Sequence, residues 1–235
     1  MRRGTRELGL ETKWRYRFVG HGSVLSAAPE AVIVDVGNEL GPGVIDQHQD
    51  AALGRCSSEL IFKHPELVYD HLVGPWLQAE RNGANLRERA WEPWIVTHRS
   101  PDFDGVVAAF LTQRLVEDGV LPEGTEALVG YSAQVDTGRY RVDPRAPESW
   151  RDAVNLAQLA LAESKRPDKE VLETGISLVA KLMESVREAR GGLAPREASD
   201  LYPGERGVAA WREDPAFAEL AARHICVQKI GCNNL

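Results

Sequence analysis

Residues 94–111 constrain the fold more than any other stretch of the chain. The apolar pair Ile95-Val96 reads as a buried strand, and the run from Val106 to Leu111 reads as helix. Between them lies the polar turn Thr97-His98-Arg99-Ser100-Pro101-Asp102-Phe103-Asp104-Gly105. Strand, turn and helix in that order form the repeating unit of an α/β protein, whose ligands bind at the C-terminal ends of the strands. The turn carries one histidine and two alternate aspartates. An aspartate in such a place can simply cap the helix. A cap needs neither the histidine nor a second carboxylate, so the set reads as ligands for divalent metal, one aspartate for each ion of a pair.

Two upstream segments repeat the pattern. Ala31-Val32-Ile33-Val34-Asp35-Val36-Gly37 reads as a buried strand with a carboxylate at its C-terminal end, and Val44-Ile45-Asp46-Gln47-His48 as a second. Trp14–Val19 alternates apolar or aromatic with basic residues, as a half-exposed strand does, and Gly20-His21-Gly22-Ser23 ends it. A loop histidine between glycines reads as solvated, and His21 is left out of the site. Downstream, Gly119–Gly124 breaks the helix, Ala127–Tyr131 reads as a further strand, and Asp136-Thr137-Gly138 follows it.

These blocks carry a resemblance. His98-x-x-Pro101-Asp102-x-Asp104 is similar to the first motif of the DHH phosphoesterases, two-manganese hydrolases that include exonucleases, oligoribonucleases and pyrophosphatases. Val34-Asp35-Val36-Gly37 resembles their second motif, Asp46-Gln47-His48 the Asp-His-His signature, and Asp136-Thr137-Gly138 the fourth motif. Two departures stand out. Gln47 replaces the first histidine of the signature, and the second and third motifs precede the first, as in a circular rearrangement of strand–helix units. The glycine-rich substrate motif of the family is not found, so the resemblance covers about residues 31–140.

The resemblance implies Mn²⁺ held by Asp35, His98 and Asp102. A second Mn²⁺ would sit between Asp35, Asp104 and Asp136, with Gln47 in place of an imidazole and Asp35 bridging. His48 would contact the substrate's phosphate, and His48 and Asp102 would carry the catalysis. Arg99 and Arg139 flank the motifs and offer phosphate contacts. The implied activity is hydrolysis of a phosphodiester or phosphoanhydride in a nucleotide or short oligonucleotide. The alternative is a DHH-like nucleotide- or protein-binding module with little turnover.

The remaining sequence sets bounds. A net charge of −7 provides no global basic field for nucleic acid. No apolar run approaches the ~20 residues of a membrane span, and no signal-peptide core follows Met1-Arg2-Arg3. Three cysteines are too few and odd in number for a disulfide framework, which points to the cytoplasm. Cys56 reads as a packed thiol, preceding Ser57 and Ser58 as caps of a helix that Pro65 kinks or divides. His64 and His71 read as surface or boundary residues. From Trp150 the chain reads as helix, with Val154, Leu156, Leu159 and Leu161 on one face, a break at Arg166-Pro167-Asp168, and a long second helix ending at Gly191-Gly192. A loop over 193–203, a helix around Trp211, Phe217 and Leu220, and a last strand near Cys226 follow; His224, Cys226 and Cys232 could bind zinc, but packed thiols fit their spacing better. The expected whole is an α/β protein with a mostly parallel sheet flanked by helices, split into a metal-site domain over 1–148 and a helical region over 149–235.

Overall fold

The computed structural model describes residues 2–50, 55–143 and 149–192. The chain is α/β and divides into two units, Met1–Tyr140 and Arg141–Leu235. The loop, helix and strand expected beyond residue 192, with His224, Cys226 and Cys232, lie outside the described residues. No helix among the described residues is long and apolar enough to cross a membrane.

The first unit opens with α1 (Thr5–Leu8), β1 (Glu11–Thr12), β2 (Arg15–Val19), β3 (Ala31–Val34), β4 (Leu40–Gly41) and β5 (Val44–Ile45). Then come α2 (Ser57–Lys63), α3 (Pro65–Leu72), α4 (Gly74–Arg81), β6 (Ala90–Trp91), β7 (Trp94–His98), α5 (Phe103–Asp118) and α6 (Thr125–Asp136). Pro65 opens α3 instead of kinking one continuous helix, since its ring fits the first helical turn. Five strands form a sheet in the order β2-β7-β3-β5-β4, and β1 pairs with β6 alone. The β2·β7, β7·β3 and β3·β5 pairings are parallel; only β4·β5 is antiparallel.

This register fixes the site. Val19 pairs with His98, Ile33 with Val96, and Val34 with Ile45. Parallel neighbours end at the same edge, so His98, Asp35 and Asp46 emerge together, with the turn holding His21 beside them. β7, the last strand of the sheet in sequence, lies between β2 and β3, which brings His98 next to Asp35 across 63 residues.

Alternation along the strands divides the core. Thr97 faces α5, whose Val106, Val107, Ala109, Phe110 and Leu111 are all buried. On the opposite side Ile33, Val36, Val44 and Val96 cluster, with Val19, Leu25 and Ala27 packed on them. Gly37 takes φ +124°, and a β-carbon there would come within 2.7 Å of Val44, so both conformation and space demand glycine after Asp35-Val36.

One sequence expectation fails. Ala127–Tyr131 is not a strand but the middle of α6, and Asp136 is the last residue of that helix. Leu128, Val129, Ser132 and Ala133 are buried on consecutive turns, a helical spacing that the short apolar run concealed. Three strand ends and one helix end therefore meet where four strand ends were expected.

The second unit contains α7 (Trp150–Ala162) and α8 (Asp168–Gly192), which pack on each other. Ser149 and Asp152 form a reciprocal capping box that starts α7. Val154, Leu156 and Leu161 are buried as the periodicity requires, whereas Leu159 points outward at 48 % exposure.

Candidate metal centre

At the shared edge His98 is 2 % exposed and held at both ring nitrogens. Its Nδ1 is 2.8 Å from the Arg99 carbonyl, which can only accept, so Nδ1 carries a proton. Its Nε2 lies 3.0 Å from Asp35 Oδ2 and 4.0 Å from Asp102 Oδ1. A nitrogen lone pair facing a carboxylate at that distance is repulsive. The contact holds only with a second proton or another cation between them. A histidine whose other N–H is bound to a backbone carbonyl is also the usual setting of a metal ligand.

Electrostatics follow this geometry. Burial pushes the Asp35 carboxyl well above its ordinary range, against the hydrogen bond from His98. Burial would lower His98, but the bond to Asp35, the Asp35 and Asp102 charges and the Arg99 carbonyl outweigh it and hold it at about 9. The pair thus keeps a proton beyond the pH at which a solvated histidine releases it.

One donor atom each from Asp35, His98 and Asp102 lies within 4.8 Å of the others. Two further features fit an ion. A β-carbon added to Gly105 would stand 3.2 Å from Asp35 Oδ2, 3.4 Å from Thr97 Oγ1 and 3.5 Å from His98 Nε2, so the glycine leaves a small cradle among polar atoms. Thr97 Oγ1 is fully buried and has no hydrogen-bond partner among the described residues. Orphaned buried hydroxyls are rare, and this one borders the cradle. Asp102 also caps α5, accepting from the Gly105 N–H at 3.0 Å, so the capping and ligand readings coexist in one side chain.

Asp104 and Gln47 belong to an adjoining hydrogen-bond network. Asp104 accepts from the Ser57 N–H at 2.7 Å, the Ser58 N–H at 3.2 Å, the Ser58 hydroxyl at 2.5 Å and the Ser132 hydroxyl at 2.9 Å. The serines expected to cap α2 do not; Asp104 satisfies two of the free N–H groups of that helix, those of Ser57 and Ser58, from a distant part of the chain. Burial, reinforced by Asp102, raises the Asp104 carboxyl. Gln47 Oε1 accepts from Ser57 Oγ at 2.7 Å, and that hydroxyl is 3.5 Å from Asp35 Oδ1.

Around the opening stand the remaining residues. His48 Nδ1 is 2.5 Å from Asp46 Oδ1, while the side chain is 58 % exposed. Asp46 itself is buried and also accepts from the Asn38 and His48 N–H groups. Asp136 keeps solvent contact, yet partial burial and the Asp104 and Asp102 charges push its carboxyl up to about 7. Arg99 and Arg139 are exposed. His21, set aside on sequence grounds, stacks on His98 with ring centroids 4.0 Å apart. Its only sequence signal is the two-residue distance from a strand end. Thr97, adjacent to His98, and Ser132, in α6, carried no signal of their own. No family model, curated protein or solved structure matches this chain.

Proposed function

We propose that the chain is a metal-dependent phosphoesterase of DHH-like type, acting on a phosphodiester or phosphoanhydride of a nucleotide or short oligonucleotide. The observation that carries this reading is the group formed by buried Asp35 and His98 with solvent-facing Asp102, whose donor atoms lie within 4.8 Å of one another. Mn²⁺ suits its mixed imidazole and carboxylate donors. A divalent ion held there supplies a water of lowered pKa and a Lewis acid for a phosphoryl oxygen.

The chain's own residues supply the rest. The Arg99 carbonyl keeps the His98 proton at Nδ1 and so leaves Nε2 free for an ion. Asp46 fixes the His48 ring through Nδ1, and the side chain is largely exposed, so Nε2 is available to a ligand. As an imidazolium, His48 presents that N–H to a phosphate oxygen or passes its proton to the leaving oxygen. Asp136, Asp104 and Asp35 would contribute to a second ion, for which Gln47 offers a neutral carbonyl.

Gln47 favours a second reading, a nucleotide- or protein-binding module with poor turnover, because its carbonyl already accepts the Ser57 hydroxyl. Hydrolysis of bis(p-nitrophenyl) phosphate across a Mn²⁺ titration tests the two. Metal-dependent release of nitrophenol that disappears in Asp102→Ala supports the phosphoesterase. Turnover that persists in Asp102→Ala rejects it, and Mn²⁺ binding without turnover selects the module.

A further inference from the structure

We propose that His21 is a phosphate-contacting residue at the mouth of this centre, a role that rests on the metal-dependent reading above. Four observations place it there. The ring stacks on His98 at 4.0 Å with an interplanar angle of 30°, so it lies directly against a candidate ligand. It is close enough to Asp102 and His48 for their charges to act on it. The residue is solvent-exposed, and neither ring nitrogen has a hydrogen-bond partner among the described residues. Finally, its loop is built to present it. The Ser23 N–H and hydroxyl both bond the Gly20 carbonyl, at 3.2 and 2.7 Å, and Gly22 takes φ +71°. Those are the features of a type II turn with His21 at its first corner, where glycine is needed at the next position.

The chemistry of the surroundings selects the ligand. The inner wall of the site is carboxylate, from Asp35, Asp102 and Asp104, and repels an anion unless a metal ion is bound. Once an ion offsets that charge, a phosphate entering the site needs hydrogen-bond donors at the rim. The two imidazoles there are His48, anchored to Asp46, and His21, anchored by stacking alone. A neutral imidazole always carries one N–H, and with both nitrogens unpartnered either tautomer can turn it outward. His21 thereby grips a phosphate oxygen from the β2 side of the sheet edge while His48 grips from the β5 side.

Stacking alone would give His21 a purely structural role, and substitutions separate the two. His21→Phe keeps the stacked ring and removes the N–H donor; His21→Ala removes both. Two quantities are measured for each protein: the Mn²⁺-induced rise in melting temperature, and calorimetric binding of inorganic phosphate to the Mn²⁺-loaded protein. His21→Phe is expected to keep the wild-type Mn²⁺ shift while its phosphate Kd rises about tenfold, the scale of one hydrogen bond to a charged acceptor. Phosphate affinity in His21→Phe equal to wild type overturns the contact. So does a loss confined to His21→Ala that tracks a lost Mn²⁺ shift, which assigns His21 to packing. Absence of any Mn²⁺ shift in wild type overturns the metal reading itself, and the contact with it.

Discussion

A single methyl group tests the metal centre without removing a ligand. Gly105 sits in the first turn of α5, its N–H bonded to Asp102 Oδ1, and its missing side chain is surrounded by Asp35, Thr97 and His98. Its backbone is ordinary helix, so alanine fits the conformation and gains up to about 1 kcal/mol of helix propensity. Against that, the new carbon stands 3.2 Å from Asp35 Oδ2, which must give by a few tenths of an ångström. Overpacking of this kind costs about 1–3 kcal/mol. The balance is a net loss of about 0–2 kcal/mol, so metal-free Gly105→Ala should be at most about 2 kcal/mol less stable than wild type. Metal binding should not survive so well, because the methyl crowds two of the three donor residues, Asp35 and His98, and takes up space beside them that a ligated ion and its water would need. A tenfold weaker Kd, at a Mn²⁺ concentration of about 100 times the wild-type Kd, reduces the stabilisation by metal from about 2.7 to about 1.4 kcal/mol. Thermal melts of both proteins in EDTA and in Mn²⁺ measure this directly. A full Mn²⁺ shift in Gly105→Ala would refute the cradle as the metal pocket, and a large loss of metal-free stability would refute the balance of propensity and crowding.

Other expectations follow from the same geometry. Asp136 titrates near 7 against 3.8 unfolded, and His98 near 9 against 6.5, so the folded state binds more protons than the unfolded state. Metal-free stability should therefore fall as pH rises from about 4 through 7 to 9, and Mn²⁺ should flatten the decline by replacing protons; melts in EDTA and Mn²⁺ over this range check the sign. Asp104→Asn places an amide against two N–H and two hydroxyl donors and should cost about 2–3 kcal/mol in urea unfolding, while leaving the Mn²⁺ shift in place; loss of the shift with unchanged stability would assign Asp104 to the metal instead. Gln47→His should raise both Mn²⁺ stoichiometry and bis(p-nitrophenyl) phosphate turnover, and unchanged stoichiometry by metal analysis would remove position 47 from the site.

What the sequence could disclose was set by which interactions are local. Strand, turn and helix around His98, and the buried strand before Asp35, were legible because β-branched runs ending in polar turns have few other solutions. Their meeting at one edge was expected because each ends a strand at the edge of the sheet where ligands bind, and from motif resemblance, although nothing in residues 31–37 alone indicates that β7 will insert beside them. The α6 segment was misread because Ala127–Tyr131 is too short an apolar run to distinguish period 2 from period 3.6. The engagement of Asp104 by Ser57, Ser58 and Ser132 was invisible for a different reason. Each residue alone is an ordinary helix-terminal or helix-interior residue, and the bond arises only when α2, α5 and α6 pack together.

The distribution of hydrogen bonds divides the site into two unequal halves. On one side Asp104 has four donors for its two oxygens, and Gln47 already accepts the Ser57 hydroxyl. That hydroxyl has one proton, and at 2.7 Å from Gln47 against 3.5 Å from Asp35 it is spent on the amide. On the other side, Asp35 Oδ2 depends on a proton shared with His98, the Thr97 hydroxyl has no partner among the described residues, and half-exposed Asp102 brings Oδ1 to 4.0 Å from His98 Nε2. Buried carboxylates are costly in proportion to the positive charge they lack. Asp35, short of charge on both oxygens, is where that cost concentrates. A first cation should therefore enter on the His98 side, displacing the shared proton, whereas a second must break the Ser57–Gln47 bond and compete with the serines for Asp104. Replacing Gln47 by histidine changes that competition, because an imidazole nitrogen binds a divalent transition metal more strongly than a neutral amide oxygen does.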